Sequence, residues 1–299
     1  MRIAFRKEYV QPLPDGHKFP MEKYDLLPRQ LIHEGTILKE QLFEPEQIAD
    51  AHVFDVHCSS YYKRLTSLML SEREQRVTGF PHNQQLIRRE QIIMEGTRKC
   101  VEYALSDGIS MNIAGGTHHA YHDHGEGFCL LNDQAIAASW YMKHNPEKKV
   151  LIVDLDVHQG NGTASIFNSE SRVFTFSMHG RNNYPLKKEN SDLDVELEDG
   201  TNDSTYLYLL EYSLERILTN FTPDLLFYQC GVDVIETDKL GKLGLSIKGC
   251  KMRDRIVFET AKSLSVPVVC SMGGGYSTDI RAIIEAHANT FREAQFILT

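Results

Sequence analysis

The segment VLIVDLDVHQGNG, residues 150–162, starts as an apolar β-branched strand and then gains charges without losing its alternation. Asp154, Asp156 and His158 occupy every second position, so in an extended chain the three side chains share one face. A strand that simply ended at Asp154, with an Asp–His pair satisfying itself in a loop, would explain a lone D-x-D. D-x-D-x-H closing an apolar run asks for more, because neighbouring buried carboxylates repel each other and lose hydration. A cation relieves both penalties. Oxygen and imidazole donors together suit zinc or another first-row divalent ion.

Three further segments offer polar groups. GGTHHAYHDHGEGFCLLND, from Gly115, carries the adjacent pair His118 and His119 after a Gly-Gly turn, with His122 and His124 beyond. The tandem pair suits proton transfer, whereas His122 and His124 read as a solvated loop. CGVDVIETDKLGKLGLS, from Cys230, supplies Asp233, Glu236 and Asp238, any of which could complete a metal site or merely cap a helix. GGGYSTDI, from Gly273, lets the backbone pass close to a ligand before Tyr276. That tyrosine fits amphipathic packing or a hydroxyl facing a substrate oxygen. Together the four loops carry the parts of a metal-assisted hydrolase.

The elements that must position these loops are short apolar runs alternating with helical patterns. Strands are expected at RIAF near the start, HVFDVH (52–57), ISMNIAG (109–115), KVLIVDLDV (149–157), RVFTFSM (172–178), DLLFYQC (224–230) and VPVVCSM (266–272). Helices are expected over 83–105, over 132–145 behind an Asn cap, over 203–218 opening with Asp, and from about Ser277 to the end. Apolar strands without one-sided alternation imply a parallel sheet covered on both faces. Ligands of such sheets bind beyond the carboxyl ends of the strands, where the unusual residues lie.

Composition narrows the function classes. A chain of 299 residues, 41% hydrophobic, can bury a sizeable core. The net charge of −9 argues against direct nucleic-acid binding, yet leaves room for a locally acidic mouth that draws cationic substrates. Neither a signal peptide nor a membrane span is apparent, and six scattered cysteines without C-x-x-C suggest reduced thiols and a cytoplasmic location.

In this order and spacing, GGTHHAYHDHGEGFCLLND, VDLDVHQGNG, ETDKLGKLGLS and GGGY resemble the zinc-dependent histone deacetylase family. HKFPMEKY (17–24) and the HQGNG form resemble its class IV and bacterial branch. The resemblance spans nearly the whole chain. It implies one catalytic domain over 1–299 with the arginase/deacetylase α/β fold, a three-layer domain whose parallel sheet has about eight strands flanked by helices.

By matching position, the resemblance makes Asp156, His158 and Asp238 the ligands of zinc, or alternatively iron(II), with Asp238 chosen over Asp233 because it precedes KLG. It makes His118 and His119 the paired active-site histidines and Tyr276 the catalytic tyrosine. Gly127 and Phe128 become one wall of an acyl-lysine tunnel, with Tyr184 a looser candidate for the other. Asp154 would orient His118 and, with Ser177, bind a structural potassium ion. Asn161 departs from the commoner pattern, which has Asp there. An amide accepts a hydrogen bond but adds no charge, so it stabilises a His119 imidazolium less.

The implied activity is hydrolysis of acetyl or longer acyl groups from lysine side chains of proteins or peptides, or of acetylpolyamines and other small acylated amines. A ureohydrolase with two manganese ions would be expected to show an extra Asp soon after His158, where Gln159 and Gly160 stand. A catalytically idle acyl-lysine binder would have no need to keep every matched group.

Overall fold

The computed structural model describes residues 1–299. Eight parallel strands form one sheet: β1 (Arg2–Ala4), β2 (Leu42–Phe43), β3 (Ile109–Asn112), β4 (Val150–Asp154), β5 (Val173–Gly180), β6 (Leu193–Leu197), β7 (Leu225–Gln229) and β8 (Val268–Ser271). Their spatial order is β2-β1-β3-β8-β7-β4-β5-β6. Every residue of β3, β4, β7 and β8 is buried, as strands covered on both faces must be. A single apolar cluster of 79 residues runs through sheet and helices, so one core serves the whole chain. All six cysteines are free. No helix is long and apolar enough to cross a membrane.

The helices are α1 (Lys23–His33), α2 (Asp50–Phe54), α3 (Ser59–Thr66), α4 (Glu72–Thr78), α5 (Gln84–Asp107), α6 (Asp133–His144), α7 (Asn161–Phe167), α8 (Asp203–Asn220), α9 (Ile247–Leu264) and α10 (Ile280–Leu298). Local chemistry sets their starts. Asn83, Asn132 and Asn202 each accept a backbone N–H of the first turn, at Leu86, Ala135 and Thr205. The cap of α8 is thus Asn202, with Asp203 already inside the helix, and α10 starts three residues later than Ser277, behind Asp279.

One expected strand is not a strand. HVFDVH falls on α2 and the turn after it, with Val53, Val56 and His57 buried and Phe54 exposed. Six residues sample less than two helical turns, too few to separate a period of 2 from one of 3.6. Burial of His57 also has a purpose: its Nε2 accepts the Asn132 N–H at 2.9 Å, while its Nδ1 bonds the Tyr121 carbonyl at 2.8 Å. This ring joins the α6 cap to the loop after β3. β2, β6, α1, α3, α4, α7 and α9 lie where the sequence pattern marks no element.

Two buried ionic groups brace the carboxyl edge of the sheet. Asp133 at the start of α6 accepts from the Gly116 and Thr117 amides, and from the Thr97, Thr117 and Ser271 hydroxyls. It therefore anchors the turn that presents His118. Arg253 of α9 is fully buried beside Asp254, and donates to the carbonyls of Leu155, Cys230 and Gly231 at the ends of β4 and β7.

His57 carries a pH prediction. Burial depresses it to about 4 against an ordinary 6.5. Its stabilising neutral form is fully present above pH 6.5, and is lost as pH falls, because the unfolded chain takes up the proton first. Urea unfolding from pH 7 to 4.5 should show the stability gap between wild type and His57→Gln shrinking by about 2 kcal/mol. A gap that stays constant over that range would show that His57 is not held neutral.

Candidate metal centre and active site

The carboxyl ends of β3, β4, β7 and β8 meet at one place, and the four loops converge there. The loop after β4 turns Asp156 and His158 into the site; both are buried. Asp156 Oδ1 accepts the His158 N–H at 3.0 Å, and Oδ2 accepts the Gly274 N–H at 2.9 Å. The loop after β7 contributes Asp233, whose Oδ1 accepts from Val157 N at 3.0 Å and whose Oδ2 lies 3.1 Å from His158 Nδ1. Asp156, His158 and Asp233 each offer a ligand atom within 4.8 Å of the others. A Cβ on Gly274 would sit 2.0 Å from Asp233 Oδ2 and 2.9 Å from Asp156 Oδ2, so the GGGY loop must be glycine to pass this close.

Asp238, the ligand implied by the family resemblance, lies beside this trio rather than inside it. Its Oδ1 accepts from Leu240 N and Gly241 N, and its Oδ2 from Tyr276 N at 2.6 Å. The structure therefore gathers two further carboxylates, Asp233 and Asp238, around Asp156 and His158, the two metal-ligand positions that were clear from the spacing. Glu236 is exposed and takes no part.

The donor set fits a divalent cation. Burial, with the Asp156 charge next to it, pushes Asp233 up to about 7, the signature of too much negative charge for the space. His158 is drawn the other way. Burial opposes its charge, but bonds to Asp156 and Asp233 outweigh that and raise it to about 10. A proton here does part of what a cation would do.

The paired histidines differ sharply. His118 Nδ1 lies 2.6 Å from Asp154 Oδ2, and although burial works against it, the Asp154 carboxylate raises it to about 8. His119 Nδ1 lies 2.6 Å from Asn161 Oδ1 instead. Burial, followed by the charges of His118 and His158, holds it well below 6.5. One ring is thus an imidazolium near neutral pH and its neighbour is neutral, with ring centroids 4.1 Å apart. His122 is exposed and His124 half-buried, as solvated-loop residues should be.

Tyr276 sits against Phe19, Phe128 and His158, at centroid distances of 6.1, 5.9 and 6.4 Å. Gly127, Phe128, Tyr184 and Tyr276 line a cleft of about 360 Å³ that reaches His119 and His158. The Tyr184 ring stands edge-on to His119 at 5.0 Å. Phe128 adopts φ +65°, a strained backbone for a bulky residue, while its ring packs on Phe19 and Phe80. The charged side chains lining the mouth are Lys18 and Lys242, with His158 deeper, and no carboxylate is among the lining groups, so the mouth is not acidic. At the floor, a small chamber of about 30 Å³ is lined by His118, His119, Asp156, His158 and Tyr276 and extends to Ile93 and Cys129.

Asp154 and Ser177 are register neighbours on β4 and β5, both buried. The Ser177 hydroxyl lies 2.9 Å from His179 Nδ1.

Sequence reasoning passed over several residues that the structure places here. Lys23 of α1 is buried, donates to the Gly273 carbonyl at 3.0 Å, and lies 5.6 Å from the Tyr276 ring centroid. Burial lowers it to about 8 despite Asp233, Asp156 and Asp238 nearby. Glu126, next to the tunnel glycine, contacts Asn161. A lysine in a helix and a glutamate in a Gly-rich loop carry no spacing signal of their own; only the fold brings them in.

Comparison with known proteins agrees with this geometry. Residues 17–291 match the histone deacetylase domain. The chain is 40% identical over 293 residues to an uncharacterized protein of Picosynechococcus sp., covering 98% of each. It is 28% identical over 287 residues to histone deacetylase 2 of Arabidopsis thaliana, covering 93% of this chain and 74% of that one. In fold, it superposes on a crystal structure of a histone deacetylase homologue from Aquifex aeolicus with a TM-score of 0.85, at 23% identity, over 99% of this chain and 84% of the other. The chain belongs to the histone deacetylase family.

Proposed function

We propose that the protein is a zinc-dependent hydrolase that removes acetyl groups from lysine side chains, of the class IV or bacterial branch of its family. One observation carries this reading: a buried Asp/His cluster faces a histidine pair, one ring held by Asp154 and the other by Asn161, at the floor of an aromatic-walled cleft. HKFPMEKY and HQGNG support the branch.

Asp156, His158 and Asp238 would hold the ion, with Asp233, which meets the same His158 Nδ1 as Asp156, beside them. The ion would polarise the amide carbonyl and acidify a water. His119, neutral and bonded at Nδ1 to Asn161, has Nε2 free to take a proton from that water as it attacks the carbonyl carbon. The same nitrogen then returns the proton to the departing lysine amine as the C–N bond breaks. His118, charged and fixed by Asp154, supplies a positive field to the negative intermediate. Tyr276 donates its hydroxyl hydrogen bond to the developing oxyanion. Asp154 and Ser177, adjacent across β4 and β5, would hold a structural potassium ion.

Two features favour acetyl-lysine over the alternatives. The inner chamber of about 30 Å³ has room for little more than a water, too small for a long acyl chain. Lys18 and Lys242 at the mouth repel a polyamine, which carries further ammonium groups close to the scissile amide.

Three outcomes are expected. Elemental analysis of stripped and reconstituted protein should give one divalent ion per chain. Asp238→Asn should weaken its binding at least about 100-fold, and Asp233→Asn by less. Two tightly held manganese ions would point to a ureohydrolase, and the reverse order of effects would make Asp233 the third ligand. Tyr276→Phe should keep metal and fold while kcat falls about 100-fold or more, the size expected for one lost oxyanion donor; a near wild-type rate would reduce Tyr276 to packing. On a panel of substrates, kcat/KM should be highest for acetyl-lysine peptides with neutral or acidic neighbours, and at least about tenfold lower for acetylpolyamines and long-chain acyl-lysines. Preference for the polyamine would overturn the reading of the mouth, and no hydrolysis of any of them would favour the idle binder.

A further inference from the structure

Asn161 has a fully determined set of partners. Its Oδ1 faces His119 Nδ1 at 2.6 Å, while Nδ2 reaches Glu126 Oε1 at 2.6 Å and the Tyr121 hydroxyl at 3.0 Å. The Tyr121 hydroxyl in turn donates to Glu189 at 3.2 Å, so it can only accept from Asn161. An amide has two donor hydrogens on nitrogen and acceptor capacity on oxygen alone. Both hydrogens are used here.

The two ends of an amide are nearly equal in shape, so what decides which end faces His119 is the chemistry on the far side. A carboxylate only accepts. Turned over, Asn161 would set its oxygen against Glu126 at hydrogen-bond distance, two acceptors facing each other in a residue that is 1% exposed. Glu126 therefore holds the amide nitrogen toward itself and the oxygen toward His119. An oxygen at 2.6 Å from Nδ1 requires the hydrogen to be on Nδ1, which leaves Nε2 bare.

We infer that Glu126 is a positioning residue that fixes the tautomer of His119 through Asn161, supplying at one remove the direction that an aspartate at 161 would supply directly. The inference rests on His119 being the general base. Glu126 is well held for this purpose: its carbonyl accepts the Cys129 N–H at 2.8 Å, and the next two amides bond to Val77 and Thr78 at 3.1 and 2.9 Å. Burial and, after it, the Glu126 carboxylate push the Tyr184 hydroxyl up, so a purely structural role, steadying the tunnel wall, is the competing account.

The test uses the full, metal-loaded protein with 15N-labelled histidine rings, His119 signals being assigned by their loss in His119→Gln. Glutamine can donate or accept, so Glu126→Gln keeps the shape but no longer dictates the amide's direction. In this variant the His119 nitrogens should shift from the Nδ1–H pattern toward a mixture of tautomers. The value of kcat should fall about fivefold or more, within the range of one proton-transfer contribution, with KM changed less than about twofold. The second variant is Glu126→Gln with Asn161→Asp. Aspartate accepts only, so the Nδ1–H pattern should return and kcat recover to within about threefold of wild type, a non-additive cycle. An unshifted spectrum in Glu126→Gln, or an equal loss of kcat in the two backgrounds, would overturn the inference and leave Glu126 as a support for the tunnel wall. If the tautomer follows this pattern in a protein that hydrolyses no acyl-lysine, the positioning stands and the deacetylase reading falls.

Discussion

The structure is organised around an excess of buried negative charge at one edge of a parallel sheet. Asp154, Asp156 and Asp233 are buried within a few residues of each other in space, and Asp238 adjoins them. Such a group survives only if every oxygen has a partner. The backbone provides most of them. Amides of Asp156, Val157, His158, Leu240, Gly241, Gly274 and Tyr276 all point at these carboxylates. That demand explains the form of the loops, which run as tight turns rich in glycine rather than as the ends of regular strands. His118 and Lys23 add positive charge around the same cluster, and the proposed divalent cation, in place of the proton on His158, would complete the balance.

From that constraint follows the division of labour between the two histidines. They are adjacent in sequence, equally buried, and each is held at Nδ1 by an oxygen at 2.6 Å. What differs is whether the oxygen is charged. Asp154 makes His118 a cation; Asn161 leaves His119 neutral, and the charge on His118 then works further against protonating it. Neutrality is what a proton acceptor needs at the start of a reaction. The Asn for Asp exchange at 161 thus sharpens the contrast between the rings.

How much of this could be read from residues alone depended on the range of the interaction. The central strands were legible because full burial on both faces leaves an unbroken apolar run, as in VLIV and LLFYQ. Asp156 and His158 were legible because their spacing is local. β6, with sequence LDVEL, was not: it is half-buried at the sheet edge and reads as charged loop. HVFDVH failed for the opposite reason, since a short buried turn can imitate alternation. The third carboxylate was the hardest part. Spacing named Asp233 and Asp238 together, and which one stands among Asp156 and His158 depends on how the chain after β7 folds back over five residues. Spacing alone does not choose between them; only the family resemblance, through the KLG that follows Asp238, did so.

Groups that never meet a substrate make the site rigid. Asp133 and Arg253 lie behind it, each a buried charge whose bonds end on loop backbone: the GGT turn for one, and the ends of β4 and β7 for the other. Buried charges are expensive, and a fold that needed only stability could place apolar side chains there. Their bonds instead tie down three of the four loops that meet at the site. The segment at the mouth is a contrast. Tyr184 is 38% exposed and Leu186 is 93% exposed, with Lys242 bonded to the Asn182 carbonyl beside them and Lys18 also lining the cleft. The floor is braced by these bonds and the rim is not, so side chains at the rim can change without disturbing the carboxylates below.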